Sequence, residues 1–153
     1  MRLMLAAMFC TLAAPVAFCE STKLLPREVQ SAITDGIKVC DEKAKLGKGF
    51  LTRRDINGDG VDDFVLDYRH FRCGKSSDFY CGSAGCLTQV FASLPDGTFT
   101  KVLDENTHSV RFEMVRGRYT MSLGLHGSSC GKTGAALCGA TWYWDGKTFS
   151  PAK

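Results

Sequence analysis

Apolar residues recur in two different periods along this chain, and the change of period divides it. Between Pro26 and Asp41 the positions Val29, Ala32, Ile33, Ile37 and Cys40 fall on one helical face. Arg27, Gln30, Thr34 and Lys38 take the opposite face. Pro26 suits a first helical turn, and Glu28 complements the positive end of the helix dipole. Gly36 weakens such a helix by ~1 kcal/mol relative to alanine. From Phe50 onward the spacing shortens to alternation. Phe64, Leu66 and Tyr68 alternate with Val65, Asp67 and Arg69, and Val110, Phe112 and Met114 with Arg111 and Glu113. Tyr119, Met121, Leu123 and Leu125 alternate with Thr120, Ser122 and Gly124. This is the pattern of antiparallel pairing with one buried face.

The predicted strands are Phe50–Thr52, Asp63–His70, Leu87–Leu94, Phe99–Leu103, Val110–Val115, Tyr119–Leu125, Ala140–Trp144 and Thr148–Ser150. Asp145-Gly146 is a two-residue turn signal. Lys43 to Lys48 reads as a basic connector, and Phe71–Gly85 and His126–Cys138 as cross-linked loops without periodicity. Trp142 and Trp144 share one face and Tyr143 takes the other; an exposed sugar- or protein-binding strip is one reading, but one of the two faces must be core, so most of this aromatic mass is expected to be packing. The fold class is α+β, mostly β: one N-terminal helix packed on a mainly antiparallel sheet of hairpins, stapled by disulfides.

Residues 1–19 obey a different rule. Arg2 is a minimal basic region, Leu3 to Phe9 an apolar run, and Ala17-Phe18-Cys19 a cleavage site of the small-x-small kind. The run is too short for a membrane span. The expectation is a signal peptide removed after Cys19, leaving one domain over 20–153; cleavage after Ala17 and lipidation of Cys19 are the alternatives. Cysteine parity agrees with the first. Of the 8 cysteines, Cys10 and Cys19 would leave with the signal. Cys40, Cys73, Cys81, Cys86, Cys130 and Cys138 would remain, an even set suited to an oxidising compartment, periplasmic or extracellular. Fifteen pairings are open. The local choices are Cys81–Cys86 and Cys130–Cys138, which leaves Cys40 with Cys73. No C-x-x-C pair is present and His70, His108 and His126 are scattered, so neither a zinc site nor a thioredoxin-like site is expected. Loss of Arg2 lowers the formal charge of +3 by one. A balance so near zero gives no argument for nucleic acid or an anionic membrane.

One stretch carries clear chemistry. Asp55-Ile56-Asn57-Gly58-Asp59-Gly60-Val61-Asp62-Asp63 places oxygen side chains at loop positions 1, 3, 5 and 9, from Asp55, Asn57, Asp59 and Asp63. Gly60 permits the positive φ of a tight reversal, so the Val61 carbonyl can turn inward. A hard cation such as Ca²⁺ takes six to eight oxygens from a flexible cage, and this register supplies most of them. Three carboxylates this close also repel one another. The loop is not an EF-hand, which needs a bidentate glutamate at position 12, where this chain has Leu66. The D-x-N-G-D-G-x-x-D run leading into an apolar strand, Asp55 to Tyr68, resembles the calcium loop of FG-GAP/VCBS-type repeats and, more weakly, dockerin loops. The resemblance implies two antiparallel strands joined by a Ca²⁺ loop ligated by Asp55, Asn57, Asp59, Asp63 and the Val61 carbonyl. No second copy is present, which excludes a propeller of such repeats. The combination of Asn57–Gly60, Cys81–Cys86 and Leu125–Gly131 is also similar to small exported, cysteine-rich bacterial proteins, a resemblance that implies compartment and fold but no activity.

No catalytic constellation stands out. Gly82-Ser83-Ala84-Gly85 is one residue short of a G-x-S-x-G elbow. His126 lies near Ser128 and Ser129, but adjacency in sequence does not make a triad. Cysteines held in disulfides supply no thiol nucleophile. The expected function is a non-catalytic binding or structural module of the cell envelope with one structural Ca²⁺ site, monomeric, meeting an envelope or secreted protein. The rival is an inhibitor of a secreted hydrolase. The Cys81–Cys86 ring, with Ser83 and Ala84 at its tip, resembles the inserting loop of periplasmic lysozyme inhibitors; that loop carries a histidine, for which only His126 is available here.

Overall fold

The computed structural model describes residues 24–133 and 136–151; the expected signal peptide, with Cys10 and Cys19, lies outside them. Among the described residues there are one α-helix, two short 3₁₀ turns and eleven strands. Helix α1 (Arg27–Val39) leads to β1 (Ala44–Leu46), β2 (Leu51–Arg54), β3 (Asp63–Asp67) and β4 (Phe71–Cys73). After β5 (Cys81–Gly82) come the long strands β6 (Gly85–Ser93) and β7 (Phe99–Thr107). The remaining strands are β8 (Ser109–Val115), β9 (Arg118–Leu125), β10 (Cys138–Trp144) and β11 (Phe149–Pro151). Every pairing is antiparallel. The first large sheet runs β2-β3-β6-β5 with β7 on the other side of β6, and the second runs β11-β10-β9-β8.

These elements stack in three layers. Phe64, Leu66 and Phe91 meet Val29 of α1, together with Phe50, Tyr68 and Phe71. On the reverse of the same strands, Val90 and Ala92 meet Met121, Leu123 and Phe149 of the second sheet. The first sheet is therefore buried on both faces, whereas alternation had pointed to one. On β3 the polar-looking side carries a single apolar residue, Val65, and that is enough to reach the second core. One residue, His108, separates β7 from β8, and its amide bonds to the Gly124 carbonyl at 2.8 Å. The chain thus crosses from one sheet to the other at a sharp corner.

The helix and hairpins agree with expectation, with four local differences. Gly36, not Ile37, completes the buried stripe of α1: Ile37 is 39% exposed, and a β-carbon at Gly36 would lie 2.9 Å from the Tyr68 hydroxyl. The basic connector contains β1, paired with β4 inside a stretch expected to be irregular, next to the Cys40–Cys73 bridge. Strand β7 runs past Leu103 through Asp104–Thr107, because the backbone there pairs with Gln89–Cys86 whatever the side chains are. A 3₁₀ turn at Tyr68–His70 ends β3 early. The Arg116-Gly117 turn has φ of 51° and 76°, the left-handed pair that matches strand twist. All three disulfides join the partners favoured by sequence: Cys40–Cys73, Cys81–Cys86 and Cys130–Cys138. Among the described residues no helix is long and apolar enough to cross a membrane.

Candidate functional site

The Asp55–Asp63 loop joins β2 to β3, which pair from Arg54↔Asp63 to Leu51↔Leu66. Three side chains curl back on the loop in succession. Asp55 accepts the Asn57 amide at 3.2 Å, Asn57 Oδ1 the Asp59 amide at 3.1 Å, and Asp59 Oδ1 the Val61 amide at 2.8 Å. Asp55 also accepts the amides of Gly58 at 2.6 Å and Gly60 at 3.0 Å. These repeated Asx turns arise because a short side chain reaches the backbone two residues on. Both glycines have positive φ, 85° at Gly58 and 79° at Gly60, as the motif required of position 6. Gly58 is further constrained by Tyr119 of β9, whose ring would lie 2.1 Å from any β-carbon there.

Asp63 behaves differently from its neighbours. It is fully buried and both oxygens are engaged: Oδ2 accepts the Ile56 amide at 2.8 Å, and Oδ1 the Ser93 amide at 2.7 Å and hydroxyl at 2.8 Å. Burial pushes its carboxyl above the usual 3.8, hydrogen bonds from Ser93 and Ile56 pull the other way, and the charge of Asp59 adds to the rise. No cationic side chain figures among the groups acting on it. The single Ser93 hydroxyl, at the end of β6, lies 2.7 Å from Asp59 Oδ2 as well, so its one proton is shared between the two carboxylates, and the Ser93 carbonyl accepts from Asn57 Nδ2 at 3.1 Å. Ser93 and Tyr119 were not legible as parts of this site, because each reaches it from a distant strand.

As a cation site the loop offers hard oxygen donors, each of which already accepts a hydrogen bond. Asp55, Asn57 and Asp59 hold hard oxygen donors around one turn, already accepting the loop's own amides, and Asp63 would likewise share oxygens bonded to Ile56 and Ser93. Among the described residues no three His, Cys, Asp or Glu side chains converge as a metal-holding group. A cage here depends on Asn57 and on a main-chain oxygen such as that of Val61, the mixed donor set that Ca²⁺ accepts.

The cysteine-bounded elements lie at the other end of β6. Cys81 pairs with Cys86 across the β5–β6 hairpin, which presents Ser83 exposed and Ala84 half-buried at its tip. His126 caps a short 3₁₀ turn over Gly127–Cys130, where its Nδ1 meets the Ser128 hydroxyl at 2.9 Å and accepts the Ser128 amide at 3.3 Å. The hairpin tip therefore has no ionisable side chain, and His126 stands on a separate turn, committed to Ser128. A scan against protein-family models finds no match to this chain, and comparisons with curated proteins and with solved structures find none either.

Proposed function

We propose that the protein is a non-catalytic binding or structural module of the cell envelope, in which Ca²⁺ at the Asp55–Asp63 loop fixes the junction between β2, β3 and β6. The observation that carries this reading is the run of Asx turns at Asp55, Asn57 and Asp59 beside the buried Asp63 carboxylate. An acidic turn without a ligand needs neither the repeated register nor a buried charge with no cationic partner. A divalent cation would neutralise that charge and oppose the rise that burial gives the Asp63 carboxyl. The three disulfides support an oxidising compartment.

Thermal unfolding of the oxidised protein, with calcium and then with chelator, tests the loop. At ~100-fold excess of free Ca²⁺ over its dissociation constant, linkage gives about 2.7 kcal/mol of added stability. Asp59→Ala is expected to remove that increment. Superimposable melting curves, with calcium loading checked by the free-ion concentration, would reduce the loop to a turn.

A further inference from the structure

The face of β2 and β3 turned away from α1 is not wholly covered by the second sheet. Strand β8 is the edge of that sheet, and between it and β2–β3 lies an open cleft of about 380 Å³. Its volume is at the lower end of the range for small-molecule sites. Val65, Val110 and Phe112 form its apolar floor, and all three are half-buried beside the second core.

Two cations flank the floor. Arg54, from β2, lies with its guanidinium 5.3 Å from the centre of the Phe112 ring and reaches the Phe112 carbonyl at 3.5 Å. Neither contact neutralises it, and no ion pair to Arg54 occurs among the described residues. Arg69 bonds to the His108 carbonyl at 3.1 Å and meets Asp67 at 3.4 Å, the one carboxylate of the lining. Two guanidiniums against one carboxylate leave the cleft positive. Its wall also holds a buried hydroxyl pair: Thr88 and Thr107 are 3% and 1% exposed, with their oxygens 2.9 Å apart. One proton serves the bond between them. The other has only the Cys86 carbonyl, 3.5 Å from Thr88, beyond the ordinary length of such a bond. Buried donors are rarely left without an acceptor.

We infer that this cleft binds an acidic saccharide unit, a sugar ring bearing a carboxylate or phosphate. Arg54 pairs with the oxyanion, because its planar fork gives charge-assisted hydrogen bonds without requiring full burial. The apolar floor takes the C–H face of the ring, and the Thr88–Thr107 pair donates to a ring or hydroxyl oxygen. The site uses none of the calcium loop's ligands, so it stands or falls independently of the cation.

The test is an amide-resolved NMR titration of the oxidised protein in chelator, with glucuronate, glucose 6-phosphate, inorganic phosphate and neutral glucose as separate probes. Saturable shifts confined to Thr52–Arg54, Val65 and Ser109–Phe112 are expected with the acidic sugars and not with glucose. The preferred acid distinguishes carboxylate from phosphate recognition. Inorganic phosphate binding as well as the sugar phosphate would overturn the saccharide assignment. Arg54→Gln is expected to weaken binding roughly tenfold. Thr52→Tyr fills the cleft from an exposed strand position and is expected to abolish binding with melting unchanged, while Arg27→Gln on the far face of α1 leaves it intact. No saturable shift with either acidic sugar, or shifts indifferent to both Arg54→Gln and Thr52→Tyr, would overturn the inference; should Arg54→Gln unfold, the cleft-filling variant decides.

Discussion

Tyr68 lies in the first core with its ring edge-on to Phe50 and Tyr80, and its hydroxyl contacts Gln89 Oε1 at 3.1 Å and the Ala32 carbonyl at 3.3 Å. Burial, with smaller repulsions from Tyr80, Asp104 and Asp35, pushes its phenol from 10.0 up to about 12. The sign follows from linkage. Below pH 10 folded and unfolded chains both hold the proton and the contribution is complete; as pH rises towards 12, only the unfolded chain releases it, so stability falls. Two pKa units amount to roughly 2–3 kcal/mol. Burial raises Tyr80 as well, in the same direction. Tyr68→Phe is expected to flatten the loss of stability between pH 10 and 12, read from denaturation midpoints, and to remove one phenolate that otherwise ionises only as the fold opens. An unchanged pH profile would mean that Tyr68 is not the protected phenol. The same residue explains Gly36. The helix gives up alanine's propensity there because the Tyr68 hydroxyl occupies the space of a β-carbon, a requirement that comes from residues far along the chain.

Among the elements, β6 links the two ends of the molecule. Its nine residues span roughly 27 Å at the usual rise per residue, with the Cys81–Cys86 hairpin at one end and Ser93 under the Asp55–Asp63 loop at the other. Ser93→Ala removes the hydroxyl bonds to Asp59 and Asp63 while leaving its amide on Asp63. It is expected to cost about 1–3 kcal/mol in chelator, the usual penalty for stripping a partner from a buried acceptor, here Asp63, measurable by urea titration. If Ser93 only fills space, the variant will match the parent protein. Elements with local cues were legible: the β8–β9 hairpin shows regular alternation on both strands, and the positive φ of Gly60 was required by the turn. Partners distant in sequence were not. Asp63 and Ser93 are 30 positions apart, and a serine at a strand end has no periodicity to mark it. The second half of β7 was hidden for a related reason: Asp104-Glu105-Asn106 has poor strand propensity, and pairing with β6 overrides it.

At the scale of the molecule, a helix and two large sheets share two cores, with disulfides at the β1–β4 pair, at the β5–β6 hairpin and between the Gly127–Cys130 turn and β10. The Cys40–Cys73 bridge spans 33 positions, whereas Cys81–Cys86 spans 5. In the chain-entropy picture the long closure contributes about 3–4 kcal/mol and the short one about 2. Replacing Cys40 and Cys73 together by alanine is accordingly expected to lower stability more than the same change at Cys81 and Cys86, compared by denaturant midpoint; the reverse order would show that strain in the folded state, not chain entropy, governs these bridges. The long closure has another consequence. The Gly58–Asp62 stretch is exposed and lies wholly inside the ring that Cys40 and Cys73 close. A peptide bond hydrolysed there by a protease leaves two fragments still joined through sulfur, so the nicked chain gains one water and loses no residue, and its helix stays tethered to the remainder until a reductant releases it.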